Sequence, residues 1–110
     1  MSRFDFETIV KPPLALVTLR GEFDLLATVE VEPELERLAC EAAVEVVLVD
    51  LRHLDFLDSS GLRAVVCAHD RLDEDDKRLV LVRGPVAVQR VFEITRMTDR
   101  LEFVDAPEYA

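Results

Sequence analysis

Asp58-Ser59-Ser60-Gly61-Leu62 joins two apolar segments of different periodicity, and this junction decides the fold. Before it, residues 44–51 are almost continuously apolar, which is typical of a strand buried on both faces. After it, apolar residues recur at helical spacing to about residue 72. The junction therefore predicts a central strand, a connection over residues 52–57, and a helix capped by Asp58 or Ser59.

The preceding sequence adds two strands and a helix. Residues 4–8 and 14–20 have strand-like patterns, and Pro12-Pro13 between them marks the connection of a hairpin. A first helix is expected from about Pro33 to residue 43, since proline suits the first turn of a helix and breaks its interior. Residues 25–32 are expected to form a loop or a short helical turn.

Strands over residues 78–82 and 101–104 complete the pattern, with a third helix opened by Gly84-Pro85 between them. Each helix has an apolar stripe that is expected to face the sheet, and His69 is interpreted as a packed histidine rather than a ligand. In the three helices in turn, the expected inward-facing residues are Leu35, Leu38, Ala39 and Ala42; Leu62, Val65, Val66, His69 and Leu72; and Val88, Val91, Phe92, Ile94 and Thr95.

This order of elements predicts a single α/β domain. Strands joined through helices run parallel with right-handed crossovers, and the opening hairpin adds an antiparallel edge. In such sheets, functional side chains collect beyond the carboxyl ends of the strands. Asp24 follows the second strand, and Asp58 and Ser59 follow the central strand, so we expect these residues to meet at one end of the sheet.

Composition narrows the classes of function. The chain has 110 residues, 50% of them hydrophobic, which suffices for one core. A formal net charge of −10 argues against nucleic acid and anionic lipid as partners, because both require a basic face. The sequence has neither a signal-peptide core nor a run long enough to span a membrane, so a cytoplasmic location is expected. The last few residues are expected to fray.

Side chains suited to chemistry are few. Cys40 and Cys67 are expected to be buried or half-buried free thiols, with a disulfide or a metal as the minority alternative. The acidic run at residues 73–76 lacks the spaced ligands and the glycine of a calcium loop. Ser59 has no Gly-x-Ser-x-Gly context and no evident histidine base, and the chain has no glycine-rich nucleotide loop. The sequence therefore predicts neither an enzyme nor a cofactor.

Three segments carry a resemblance to a known family. They are Gly21-Glu22-Phe23-Asp24, Val47-Leu48-Val49-Asp50-Leu51, and the run from Leu54 through Asp58-Ser59-Ser60-Gly61-Leu62. Together they resemble the STAS domain, which anti-sigma factor antagonists share with the cytosolic tails of sulphate transporters, and Gly84 to Phe92 fits the third helix of that family. The resemblance covers nearly the whole chain. It implies a mixed β-sheet with helices packed largely on one face.

The resemblance also implies a switchable binding protein. Antagonists of this family bind an anti-sigma factor that is itself a serine kinase, and this binding releases a sigma factor. The kinase ends the binding by phosphorylating a serine, here Ser59, and a metal-dependent serine phosphatase restores it. Partner-binding residues would surround this acceptor, with Ser60 capping or packing beside it; they are Asp24, Asp58, Ser60, Gly61, Leu62 and Arg63.

Other functions stay open at this stage. Small STAS domains also accompany lipid-transporting ABC ATPases, in which the helix face near the motif would pack on an ATPase subunit without any phosphate. Ser59 could also be only a helix cap, worth about 1 kcal/mol. An enzyme with Ser59 as its nucleophile is the weakest alternative. The oligomeric state is not determined by the sequence.

Overall fold

A computed structural model describes residues 3–106, which form one five-stranded sheet and three α-helices. The expected fraying falls mainly on residues 107–110, which lie outside the described residues. The elements in chain order are β1 (Phe4–Lys11), β2 (Leu14–Phe23), α1 (Leu25–Ala39), β3 (Val46–Leu57), α2 (Ser59–Glu74), β4 (Arg78–Val82), α3 (Val86–Ile94), a 3-10 turn (Met97–Asp99) and β5 (Glu102–Val104).

The sheet has the strand order β1-β2-β3-β4-β5, so each strand lies beside its neighbour in sequence. β1 and β2 are antiparallel, and every later pair is parallel. The parallel pairs are joined through the three helices, as the alternating pattern requires. The predicted α/β fold with a mixed sheet is confirmed.

Alternation along the strands separates two apolar clusters. In β3, Val47, Val49 and Leu51 belong to the main core, which also contains the buried apolar side chains of α1, α2 and α3. On the opposite face, Leu48 packs with Val80 and Val82 of β4 in a smaller cluster. The helices therefore pack against one face of the sheet, which confirms the expected layer arrangement.

β2 continues beyond its predicted end at Arg20 because Gly21 is accommodated inside the strand. Gly21 has a φ of 95°, which favours glycine, and a Cβ there would lie 1.9 Å from the carbonyl oxygen of Arg3. The pairing of β2 with β3 shifts register beside this position and then resumes to Phe23. Gly21 is thus a strand irregularity of the kind that glycine allows, and not a strand end.

The first helix is longer than predicted and begins earlier. Residues 25–32, expected as a loop or a short helical turn, form the first two turns of α1. The helix ends at Ala39 and leaves Ala42 exposed. Pro33 lies inside the helix, where it removes the donor that would reach the carbonyl of Val29. Both residues are on the exposed side of the helix, so water can satisfy that carbonyl. Leu35, Leu38 and Ala39 are buried as predicted.

The central strand is also longer than predicted. Residues 52–57, expected as a connection, continue β3 to Leu57 and pair with the end of β2. Two register shifts let Leu51, Leu54 and Leu57 all enter the core although each is three residues from the next. This spacing breaks the two-residue period of a strand, which is why the segment has no strand signal in the sequence.

Several side-chain expectations are wrong, mostly at the ends of helices. Cys40 and Cys67 are free thiols but both are exposed, Cys40 because it follows the last residue of α1. Cys67 lies in the middle of α2 and is exposed because it lines the open groove between α1 and α2. In α3, Val88 and Phe92 are buried, whereas Ile94 is 74% exposed and Thr95 lies beyond the end of the helix. The inner faces of the helices are therefore narrower than their apolar composition suggests.

Candidate functional site

The predicted site residues lie at one edge of the sheet. The last pair between β2 and β3 is Phe23 with Leu57, so Asp24 and Asp58 follow two adjacent parallel strands. The N–H of Asp58 also donates to the carbonyl oxygen of Phe23 at 3.4 Å. The expectation that Asp24, Asp58 and Ser59 meet at the carboxyl end of the strands agrees with this arrangement.

Asp58, rather than Ser59, caps α2. Its Oδ1 accepts hydrogen bonds from the backbone N–H of Ser60 at 2.9 Å and of Gly61 at 3.0 Å. These are donors that the first turn of a helix otherwise leaves unpaired. Ser59 is the first residue of the helix and is exposed, whereas Ser60 is half-buried. The Ser59 hydroxyl is therefore available at the surface without disturbing the cap.

Gly61 lets the start of α2 lie directly on the strand ends. It is buried, and a Cβ at this position would lie 2.5 Å from the carbonyl oxygen of Phe23 and 2.6 Å from Cδ1 of Leu57. A larger residue would push the helix away from the sheet. Gly61 consequently fixes the position of Ser59 by packing, and its burial gives it no surface of its own to offer a partner.

Ser60 and Arg63 line a groove of about 260 Å³ between α1 and α2. The other residues of this groove are Leu25, Thr28, Glu32, Ala64 and Cys67. The groove continues along the two helices to Glu36 and Arg71. There Arg71 bridges Glu36 at 3.1 Å and Asp75 at 2.7 Å, and its hydrogen bond holds the pKa of Asp75 below the ordinary value.

Arg63 differs from most arginines of the chain because its guanidinium is uncommitted. Within residues 3–106 it has no ion pair or hydrogen bond, and it is exposed. Arg63 lies one helical turn after Ser59, on the same side of α2. Leu62, the remaining predicted contact residue, is half-buried against the main core.

Two features of other classes of protein are absent from the described part of the chain. Residues 3–106 contain no group of three or more His, Cys, Asp or Glu side chains placed to hold a metal ion. Among the same residues, no helix is long and apolar enough to cross a membrane. The chemistry that remains at the site is a surface hydroxyl, two carboxylates and one free guanidinium.

Comparison with protein families identifies the family to which this fold belongs. The model of the STAS domain matches residues 5–110. The chain belongs to the STAS domain family. An anti-sigma-B factor antagonist of Staphylococcus epidermidis is 28% identical over 104 residues, covering 94% of this chain and 95% of the relative. Its counterpart in Staphylococcus aureus is 26% identical over the same coverage.

Solved structures of anti-sigma factor antagonists resemble this STAS domain. The anti-sigma factor antagonist SpoIIAA in its unphosphorylated form superposes with a TM-score of 0.80 at 25% identity, covering 96% of this chain and 89% of that one. An anti-sigma factor antagonist from Mycobacterium paratuberculosis gives 0.84 at 16% identity, covering 94% and 86%. The Bacillus SpoIIAA in its phosphorylated form gives 0.75 at 24% identity, covering 96% and 92%. The last two structures, at 16% and 24% identity, show that the fold is shared.

Three residues beside the site of this STAS domain were missed by the sequence prediction. Leu25, Leu26 and Val29 lie in the first two turns of α1 and are 64%, 79% and 67% exposed. The sequence predicts a loop or a short helical turn there, because proline favours the first turn of a helix and Pro33 therefore indicates a later start. Asp24 was the available signal: its Oδ1 accepts from the N–H of Ala27 at 3.0 Å, which marks the N-cap of a helix that begins at Leu25.

Proposed function

We propose that this STAS domain is an anti-sigma factor antagonist whose binding is switched off by phosphorylation of Ser59. The observation that carries the proposal is the exposed hydroxyl of Ser59 at the start of a helix whose position Asp58 and Gly61 fix. The likeness to full-length antagonists supports it, since the S. epidermidis relative is covered almost end to end. The 25% identical antagonist SpoIIAA has a solved structure that is described as its unphosphorylated form, which supports regulation by phosphorylation.

Exposure favours Ser59 over Ser60 as the acceptor. A kinase must place the hydroxyl in line with the γ-phosphate of ATP, so the acceptor hydroxyl has to be accessible at the protein surface. Ser59 is exposed at the helix start, whereas Ser60 is half-buried and faces the groove beside α1. The proposed partner is therefore an anti-sigma factor with serine kinase activity that contacts the surface around Ser59, and a serine phosphatase would reverse the modification.

The local charges decide what a phosphate on Ser59 would do. A phosphoserine carries about −1.5 to −2 charges at neutral pH. The N–H groups of Ser60 and Gly61 are already bound by Asp58, so the phosphate would add to the carboxylate instead of replacing it. Arg63, one turn away and uncommitted, is the cation that could balance it. The expected result is a change of surface charge with no loss of fold.

This charge change is sufficient for a switch. Asp24, Asp58 and Arg63 all border the acceptor. A partner that fits the unmodified surface would therefore contact an additional, strongly charged group after phosphorylation. Where the partner presents an apolar or acidic surface to Ser59 itself, burying the phosphate there or setting it against a like charge costs several kcal/mol. Each 1.4 kcal/mol corresponds to a factor of ten in the dissociation constant, so one phosphate suffices to separate tight from weak binding.

The test is phosphate mapping with two matched serine variants. Each anti-sigma serine kinase encoded beside a sigma factor in the source genome is purified and incubated with the domain and ATP, and the modified residue is located by mass spectrometry. Wild type and Ser60→Ala should be phosphorylated at residue 59, and Ser59→Ala should stay unmodified while still binding the kinase. Phosphorylation elsewhere, or normal switching in Ser59→Ala, would contradict the proposal.

A further inference from the structure

The outer face of α1 is apolar only next to the candidate site. Leu25, Leu26 and Val29 form a contiguous exposed patch, because residues three and four apart are neighbours on a helix surface. Further along, charged residues occupy the exposed positions, as is usual for a helix packed on a sheet; they are Glu30, Glu32, Glu36 and Arg37. The inner face is complete without the patch, since Ala27, Val31 and Leu35 are buried. We call Leu25, Leu26 and Val29 the α1 patch.

The α1 patch is continuous with the surface around Ser59. Leu25 lines the groove that also contains Ser60 and Arg63. Leu26 borders a second concavity with Glu22 and Asp24. A partner that contacts Ser59 and also fills the groove beside Ser60 and Arg63 would therefore contact Leu25 of this patch.

The charges at the rim of the patch are mostly negative. Its acidic neighbours are Glu22, Asp24, Glu30 and Glu32, and its basic neighbours are Arg63, which lines the same groove as Leu25, and Arg3, which lies 3.6 Å from Glu22. Carboxylates therefore outnumber cations by two to one. A second copy of the chain, with a formal net charge of −10, would place carboxylates against carboxylates. A surface with an apolar residue set among lysines and arginines would instead complement both the centre and the rim.

We propose that the α1 patch is a docking site for the anti-sigma factor, which inserts an apolar side chain flanked by basic residues there while its catalytic centre addresses Ser59. This inference rests on the proposed function and adds a second contact region on a different helix. Apolar groups that become fully desolvated at the centre of an interface carry much of its binding energy, whereas rim charges mainly raise the association rate.

The test uses surface variants that leave the core intact. Leu26→Ser with Val29→Ser removes the apolar centre, and Ile94→Ser is the matched control, since Ile94 is 74% exposed at the far end of α3. Purified anti-sigma serine kinases of the source organism serve as probes, with affinity measured by calorimetry and Ser59 phosphorylation by initial rates. The double variant should bind at least ten-fold more weakly and raise the KM for phosphorylation, with an unchanged melting temperature, while the control should match wild type.

A charge-reversal variant tests the rim separately. Glu30→Lys with Glu32→Lys should slow association and reduce its dependence on salt, without changing the secondary structure.

The outcomes separate the two proposals. If wild type binds none of the kinases and is not phosphorylated, the proposed function fails and the docking site with it. If wild type is bound and phosphorylated but the double variant behaves like Ile94→Ser, only the docking site is wrong. Sedimentation provides a further check: a wild-type dimer that the double variant turns into a monomer would make a second copy the occupant and overturn the inference.

Discussion

The N-termini of α1 and α2 are built in the same way. Each helix begins directly after one of two adjacent parallel strands, and each is capped by an aspartate, Asp24 or Asp58. After the cap they diverge: two exposed leucines follow Asp24, and two serines and a buried glycine follow Asp58. The comparison teaches that the same capping geometry can present either an apolar contact or a modifiable hydroxyl.

The difference extends to how tightly each helix start is held. Asp58 accepts two backbone N–H groups, whereas a single side-chain bond to Ala27 is recorded for Asp24. The third residue after each cap is Gly61 in α2 and Ala27 in α1, and both are buried. Only at Gly61 does a strand carbonyl occupy the space that a Cβ would need. The helix with the proposed acceptor is thus the more tightly positioned of the two.

The largest expected effect comes from exchanging the residues at these third positions. Gly61→Ala should lower the free energy of unfolding by about 2–3 kcal/mol, because its methyl group would overlap Phe23 and Leu57 and overpack the strand ends. Ala27→Gly should cost only about 1–2 kcal/mol, from lost helix propensity and one buried methyl group. Urea unfolding followed by circular dichroism measures both, and equal losses would contradict the tighter seating of α2.

Removal of the caps should have the next largest effect. Asp58→Ala should cost about 1–2 kcal/mol and Asp24→Ala about 0.5–1 kcal/mol, since the first loses two hydrogen bonds to backbone donors and the second loses one. Asp58→Asn and Asp24→Asn are the controls, because asparagine caps a helix without the charge. A larger loss at Asp24 than at Asp58, measured by urea unfolding, would reverse the comparison.

The smallest expected effect tests Arg63, the uncommitted cation in the first turns of α2. With phosphoserine installed at position 59, Arg63 should favour the dianion and lower the second pKa of the phosphate. Arg63→Gln should therefore raise that pKa by about 0.2–0.4 units, the equivalent of a helical ion pair one turn apart. Titration followed by ³¹P NMR measures the change. Arg90→Gln, an exposed arginine on α3, should leave the pKa unaltered, and an equal shift in both variants would exclude a local effect of Arg63.

Regular periodicity made much of this fold predictable. β4 has its predicted bounds, and Val65 and Leu72 are buried on the predicted face of α2. The exceptions are places where tertiary packing overrides the local pattern. Pro33 is accepted within α1 because the affected carbonyl is on the exposed side, and Leu54 and Leu57 both reach the core through register shifts that no short-range pattern encodes.

The candidate site was predictable to a similar extent. The placement of Asp24 beside Asp58 follows from the rule on strand ends, and the choice of Asp58 as the cap required the structure. The α1 patch was not predictable, because Pro33 favours a helix that begins at that residue. Without a helix over residues 25–32, the sequence does not show that Leu25, Leu26 and Val29 share one helical face. The lack of a partner for Arg63 within residues 3–106 is likewise a property of three-dimensional placement.

The unequal lengths of β3 and β4 have a consequence for motion at this end of the molecule. β4 accompanies β3 only as far as the pair Asp50 with Val82, while β3 runs on beside β2 to Leu57. Among the described strands, the edge of residues 51–57 that faces away from β2 therefore has no strand beside it. The N–H of Arg52 donates to Oδ1 of Asp50 at 3.0 Å, and any amide of this edge without such an acceptor is open to exchange with solvent through small local fluctuations. The amides of residues 46–50, held from both sides, exchange only when the sheet itself opens. The segment that leads to Ser59 can thus fluctuate on its own while the centre of the sheet stays closed.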